Sequence, residues 1–229
     1  MPSPSDSARP GPTRAGPGAP AADAGWLGRS LRLATRHDAP FAHWTMPAVL
    51  SGDDCTALLA WEPGQQARGG AGGGGRRDTR NGRRAFITPA LRHARPDLDR
   101  LAARFDDRGM RRLIAARTGA RLGGTALRME LCFDTEGFWL EPHTDIGAKR
   151  LTLLIGLSTD HRAEGWGTDL MTPDGQVVKR ASGRFNNGLM FVPGRDTWHG
   201  FAARRIEGER RTLIVNFVDR SWQSREELA

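Results

Sequence analysis

Apolar residues recur at helical spacing through the first half of this chain and at alternate positions through the second half. The clearest helical stretch covers 96–118. Pro96 suits a first turn, Leu98, Leu101 and Phe105 share a face, and Met110, Leu113 and Ile114 resume the pattern after a break at Arg108-Gly109. A shorter helix is predicted to follow Ser51. That residue is the N-cap, and Asp54 at the third position favours the positive end of the helix dipole. Leu58, Leu59 and Trp61 give this helix an apolar side, and Pro63 ends it. Residues 41–50 read as a short strand and turn. From Thr125 the period changes to two: Leu127, Met129, Leu131 and Phe133 alternate with Ala126, Arg128, Glu130 and Cys132. Further strand-like runs cover 150–157, 168–171, 176–179, 188–192 and 212–218, with turns at Pro173-Asp174-Gly175, Asn186-Asn187-Gly188 and Pro193-Gly194. Helices followed by many short strands predict an α+β fold with a jelly-roll or similar barrel as its core on N-terminal supporting helices.

Composition divides the chain. Residues 1–25 are rich in Pro, Ala, Gly and Ser, with no bulky apolar residue after Met1, and are expected to be disordered. Residues 26–229 are expected to form one domain, with helical support over 26–122 and the jelly-roll core over 123–220. Residues 67–84 are expected to be a Gly/Arg loop. It is no phosphate-binding loop, because no Gly-Lys-Ser/Thr follows.

The formal net charge is +8, and it is localised. Between Gln66 and Arg121 there are fifteen Arg against five Asp, a balance of +10. These arginines are not interleaved with aromatics, so a solvated surface is favoured and nucleic acid is not expected as a partner. No apolar run approaches the roughly 20 residues that cross a bilayer. The N-terminus lacks a secretory apolar core, and Cys55 and Cys132 share no motif spacing, so free thiols and a cytoplasmic location are the default expectations.

The candidate chemistry lies at His143-Thr144-Asp145, followed 54 residues after the Asp by His199 and 12 residues later by Arg211. Two imidazoles and one carboxylate on one face hold Fe(II) while leaving coordination positions open. On an extended strand, residues two apart point the same way, so His143 and Asp145 suit a shared ion. Zinc accepts the same ligands, but the helical His-Glu-x-x-His spacing of zinc hydrolases is absent. His-x-Asp alone is common by chance. His37, His43, His93 and His161 have no comparable company and read as structural or surface residues.

The segment Gly137-Phe138-Trp139-Leu140-Glu141-Pro142-His143-Thr144-Asp145 resembles the metal-binding strand of the iron(II)/2-oxoglutarate-dependent oxygenases, most of all their prolyl-4-hydroxylase-like branch. Arg150-Leu151-Thr152-Leu153-Leu154 is similar to that branch's next strand. Gly165-Trp166-Gly167-Thr168-Asp169-Leu170 resembles its Gly-Gly-Glu-Leu turn and strand, and Gly188-Leu189-Met190-Phe191 resembles the strand that leads to the second His. Val49-Leu50-Ser51-Gly52-Asp53-Asp54-Cys55 is similar to the group's opening helix. The resemblance implies Fe(II) on His143, Asp145 and His199, 2-oxoglutarate as co-substrate, O2 as oxidant and ascorbate as an optional reductant. It implies that Arg211, rather than its neighbour Arg210, pairs with the distal carboxylate of 2-oxoglutarate. Arg211 lies six residues before Phe217, and that register puts Arg211, Leu213, Val215 and Phe217 inside. The branch often carries a Tyr on the strand after the metal motif. This chain has no Tyr, Gly156 lies near that position, and Thr152 is the candidate replacement hydroxyl. Because the carboxylate of Asp145 is present, hydroxylation of a peptide side chain or small metabolite is expected rather than halogenation.

Two rival readings remain. A nucleic-acid dealkylase on the same fold would carry a second Arg where Phe217 stands. A barrel that binds a ligand without catalysis would leave the triad and Arg211 without a role. Trp139, Trp166 and Trp198 read as core residues before cleft residues.

Overall fold

The computed structural model describes residues 25–62 and 82–229. Residues 1–24 of the Pro/Ala/Gly-rich segment, Pro63 and positions 67–81 of the expected loop lie outside them.

Helix α1 (Gly25–Leu33) leads into strands β1 (Thr35–His37) and β2 (His43–Met46), which pair antiparallel. Helix α2 (Gly52–Leu59) starts where the sequence predicts. The Ser51 side chain accepts from the Asp54 amide, and the Asp54 carboxylate accepts from the Ser51 amide, so two orphan donors are satisfied reciprocally. Strand β3 (Gly82–Phe86) replaces the end of the expected Gly/Arg loop. It pairs in register with β4 (Ala126–Asp134) from Gly82 opposite Asp134 to Phe86 opposite Glu130, and this long-range partner supplies what the local sequence lacks.

Helix α3 (Pro89–Ala94) precedes α4 (Pro96–Asp106) and α5 (Arg108–Thr118). The break comes one residue before the predicted Arg108-Gly109, at Asp107, whose side chain accepts from the Met110 amide and caps α5. The remaining strands are β5 (Leu140–His143), β6 (Lys149–Gly156), β7 (Asp169–Met171), β8 (Val177–Arg180), β9 (Gly188–Phe191), β10 (His199–Phe201) and β11 (Arg210–Val218).

Among the described residues the strands form two antiparallel sheets, ordered β1-β2-β9-β6-β11-β4-β3 and β5-β10-β7-β8. The segment 26–122, expected as helical support, thus also contributes three strands to the larger sheet. One face of that sheet carries Leu127, Met129, Leu131, Phe133, Leu213, Val215 and Phe217. These pack with Leu98, Leu101, Phe105 and Ile114 of α4 and α5 in the largest apolar cluster. Each such burial contributes about 1.5–3 kcal/mol.

The other face looks across at the smaller sheet, and two register rows oppose each other there. In the larger sheet, Arg128, Asn216, Thr152, Phe191, His43 and His37 lie side by side on six strands. In the smaller sheet, His143, His199, Leu170 and Lys179 do the same. Two contacts join the rows, from neighbouring strands of the larger sheet. The Phe191 and His199 rings are 4.9 Å apart, and Lys179 Nζ lies 3.4 Å from His43 Nε2.

Main chain fills the far end of the space between the sheets. A Cβ on Gly156 would lie 2.6 Å from Gly183 O, and one on Gly167 would lie 1.7 Å from Ala181 O. Gly167→Ala is therefore expected to be among the most damaging single changes. The backbone at Ala181 must move to admit even a methyl group, so a loss of at least about 3 kcal/mol, read as a fall in denaturation midpoint, is expected. A variant as stable as the parent would show that this floor is soft.

No helix of the described residues is long and apolar enough to cross a membrane.

Candidate metal centre

His143 is the last residue of β5, and His199 the first of β10, directly opposite it. Antiparallel pairing therefore brings the two rings together, with centroids 4.3 Å apart. Asp145 lies beyond the strand end rather than on it, in the turn before β6. One ligand atom from each of His143, Asp145 and His199 can be chosen so that all lie within 4.8 Å of one another, which is the spacing of donors around one ion. His143 Nδ1 is 2.9 Å from Glu141 O, and His199 Nδ1 is 2.9 Å from Thr197 O. A backbone carbonyl on each Nδ1 fixes the tautomer that leaves Nε2 as the lone-pair donor, the usual arrangement behind a metal-binding imidazole. Two neutral nitrogens and one carboxylate oxygen are the donor set that suits iron(II), so the residues fit the ion.

Asp145 is held from both sides. Lys149 Nζ donates to Oδ1 at 2.5 Å, and Thr152 Oγ1 donates to Oδ2 at 2.6 Å. Burial alone would raise this carboxyl. The ammonium of Lys149, the neighbouring His199 and the hydrogen bonds from Lys149 and Thr152 outweigh it and hold the group well below the usual carboxylate range. The Asp145 carboxylate is an anion at neutral pH.

A pocket runs from this point between the sheets. Phe138, Leu140, Leu154, Phe201 and Ile214 give it apolar walls, Asp145, Lys149, Thr152 and His199 mark one part of its lining, and Arg84, Asp134 and Arg210 another. Arg210 is 8% exposed. Its Nε donates to Trp166 O, and its Nη1 pairs with Asp134. Arg84 pairs with Glu130.

Arg211 is not part of this pocket lining. Its guanidinium stacks over Phe133, donates to Leu59 O, and pairs with Glu62 and Glu209 on the helix side of the sheet. The inward set is thus Arg210, Thr212, Ile214 and Asn216, and the expected assignment of the two faces is reversed. The physical reason is the helix layer, which claims Leu213, Val215 and Phe217 as its own core. Thr152 does lie at the centre, but its proton goes to Asp145. Lys149, Arg84 and Asp134 are lining residues that the sequence reading passes over. Of the tryptophans, Trp166 is buried with Nε1 donating to Arg205 O, whereas Trp139 is 47% exposed.

Compared by sequence, the chain matches no protein-family model and no curated protein. Compared by structure, it is similar to prolyl hydroxylases and other 2OG-Fe(II) oxygenase structures. A Pseudomonas putida prolyl-4-hydroxylase matches at 18% identity over 85% of this chain and 100% of that chain, with a TM-score of 0.55. A prolyl hydroxylase from Trichoplax adhaerens, in complex with a hypoxia inducible factor oxygen degradation domain peptide fragment, matches at 17% over 86% and 89%, with a TM-score of 0.54. An oxidoreductase of the 2OG-Fe(II) oxygenase family from Burkholderia pseudomallei matches at 13% over 90% and 95%, with a TM-score of 0.54. The chain therefore has the double-stranded β-helix fold of the iron(II)/2-oxoglutarate oxygenase structures, prolyl hydroxylases among them.

Proposed function

We propose that this chain is an iron(II)- and 2-oxoglutarate-dependent oxygenase that hydroxylates an unactivated C–H bond of a peptide side chain or small metabolite. The observation that carries this reading is a His143–Asp145–His199 donor set, two members of which, Asp145 and His199, line one pocket with a buried guanidinium, Arg210.

His143, Asp145 and His199 would hold the iron. With dioxygen and the oxo acid, that ion supplies the oxidising power, and 2-oxoglutarate leaves as succinate and carbon dioxide while one oxygen atom enters the C–H bond. Arg210 would take the distal carboxylate of the oxo acid, because a guanidinium offers a planar pair of donors to a carboxylate. It would share its charge with Asp134, and Arg84 adds a second guanidinium to the same lining. Four ion pairs at or behind this space, Arg84–Glu130, Arg128–Glu227, Lys149–Asp145 and Arg210–Asp134, are each balanced in charge. A dication entering with a dianion preserves that balance, so metal and oxo acid should each favour the other's binding. Phe138, Leu140, Leu154 and Phe201 keep water from the reacting end. The likeness to a prolyl hydroxylase in complex with a peptide fragment supports a peptide as one candidate substrate.

Purified protein loaded with iron(II) should convert 2-oxoglutarate to succinate slowly by itself, and faster when a peptide or metabolite library contains its substrate. That substrate should gain one oxygen atom in mass. No succinate above the iron-free control under either condition would reject the assignment.

A further inference from the structure

Behind Asp145 runs a chain of buried polar groups that the proposed chemistry does not use. Thr152 Oγ1 donates to Asp145 Oδ2 at 2.6 Å and accepts from Asn216 Nδ2 at 3.0 Å. Asn216 Oδ1 accepts from Arg128 Nη1 at 3.1 Å. Arg128 Nη2 donates to Glu130 at 3.1 Å, and Arg128 Nε donates to Glu227 Oε2 at 2.6 Å. Thr152 is 2% exposed, Asn216 0%, Arg128 6% and Glu227 7%, so no bulk water competes along the line.

The direction of every bond is set from the Arg128 end. A guanidinium only donates, so the Asn216 amide must present its oxygen there and its NH2 to Thr152. The Thr152 hydroxyl has one proton. With Asn216 donating to its oxygen, that proton is directed to Asp145. The oxo acid cannot also receive it, so Thr152 does not replace the absent Tyr as an oxo-acid contact. Arg128 is itself fixed by the last residues of the chain. Its guanidinium lies over the Trp222 ring at 4.8 Å, its backbone bridges Leu228, and the Ala229 amide donates to Leu127 O at 2.9 Å.

An apolar filling would hold a fold at least as well as this polar file, because buried charges and amides must first be stripped of water. We infer that the Arg128–Asn216–Thr152 relay is a positioning device for the metal-binding carboxylate, anchored at its far end by Glu227. It fixes the plane of the Asp145 carboxylate relative to the two imidazoles before any ion arrives. This rests on the metal reading above. Thr152, Asn216 and Arg128 are positioning residues, since none of them is a ligand.

The test is cobalt(II) binding to the full chain, read by titration and by the visible absorption of the bound ion, with the denaturation midpoint of the metal-free protein as a control. Thr152→Val, which keeps the shape and deletes the hydroxyl, should weaken cobalt affinity by about 10–100-fold and change the spectrum. Thr152→Ser, which restores the hydroxyl, should return the affinity to within about threefold of the parent. Glu227→Gln keeps the side chain's shape, leaves Arg128 paired with Glu130 and disturbs only the far anchor; it should weaken affinity by about two- to fivefold, so the relay stays testable if Thr152→Val folds poorly. Parental affinity and spectrum in Thr152→Val, or in Glu227→Gln should the first variant not fold, would overturn the relay while leaving the metal reading intact. A parent protein that takes up no cobalt would overturn both.

Discussion

His143→Ala protein should retain its fold and lose its iron. His143 is partly exposed, and its Nδ1 bonds to a carbonyl two residues away, so truncation costs little structure. The proposed metal site would lose one of its three protein donors. That cost should exceed the roughly 10–100-fold seen when a group behind a ligand is disturbed, so iron content after desalting should fall to background. Succinate formation should vanish with it, while the denaturation midpoint of the metal-free protein should stay within a few degrees of the parent. Iron retained at parental stoichiometry, with full turnover, would end the assignment of His143 as a ligand.

The second large effect separates two adjacent arginines. Arg210→Met should raise the 2-oxoglutarate concentration needed for half-maximal turnover by about 100-fold or more, since two charge-assisted hydrogen bonds at about 1.5–3 kcal/mol each are lost. Arg211→Met, on the helix face, should change that concentration by no more than about threefold. Arg210→Met also strands Asp134 in the interior, and a broken buried pair costs about 3–5 kcal/mol. Asp134→Asn added to Arg210→Met should recover stability without recovering 2-oxoglutarate binding. If the Arg211 variant carried the loss instead, the face assignment made from the pocket would be wrong.

These two arginines show where the sequence stops being legible. Alternation along 210–218 separates two faces, but it does not say which one looks at the ion. The rule that apolar residues face inward points to Arg211, Leu213, Val215 and Phe217. This sheet has two insides. The helix layer takes the apolar face, and the space between the sheets takes a file that includes Arg128, Glu130, Asp134, Arg210 and Asn216. Those charges are tolerated because each meets an opposite charge or an amide from another element far away in sequence. Only the fold supplies such partners, so no local pattern announces them.

Other elements were readable because their causes are local. The Ser51–Asp54 cap and the break at Asp107 each depend on neighbours within four residues. Strand β3 was missed because its only strong signal is β4, more than forty residues away. The grouping of His143, Asp145 and His199 was visible as an ordered set of residue types. The relay behind Asp145 was not, since it joins positions 128, 152, 216 and 227.

The close approach of Gly183 O to Gly156 bears on the phenol expected near this position. A substitution of Gly156 by Tyr would not restore that group, because the main chain at Gly183 and Arg184 already occupies the volume its first carbon would need. Any return to an aromatic at this position would have to begin by rerouting the connection between β8 and β9. A ring at this position and passage of that connection through the space are, in steric terms, mutually exclusive.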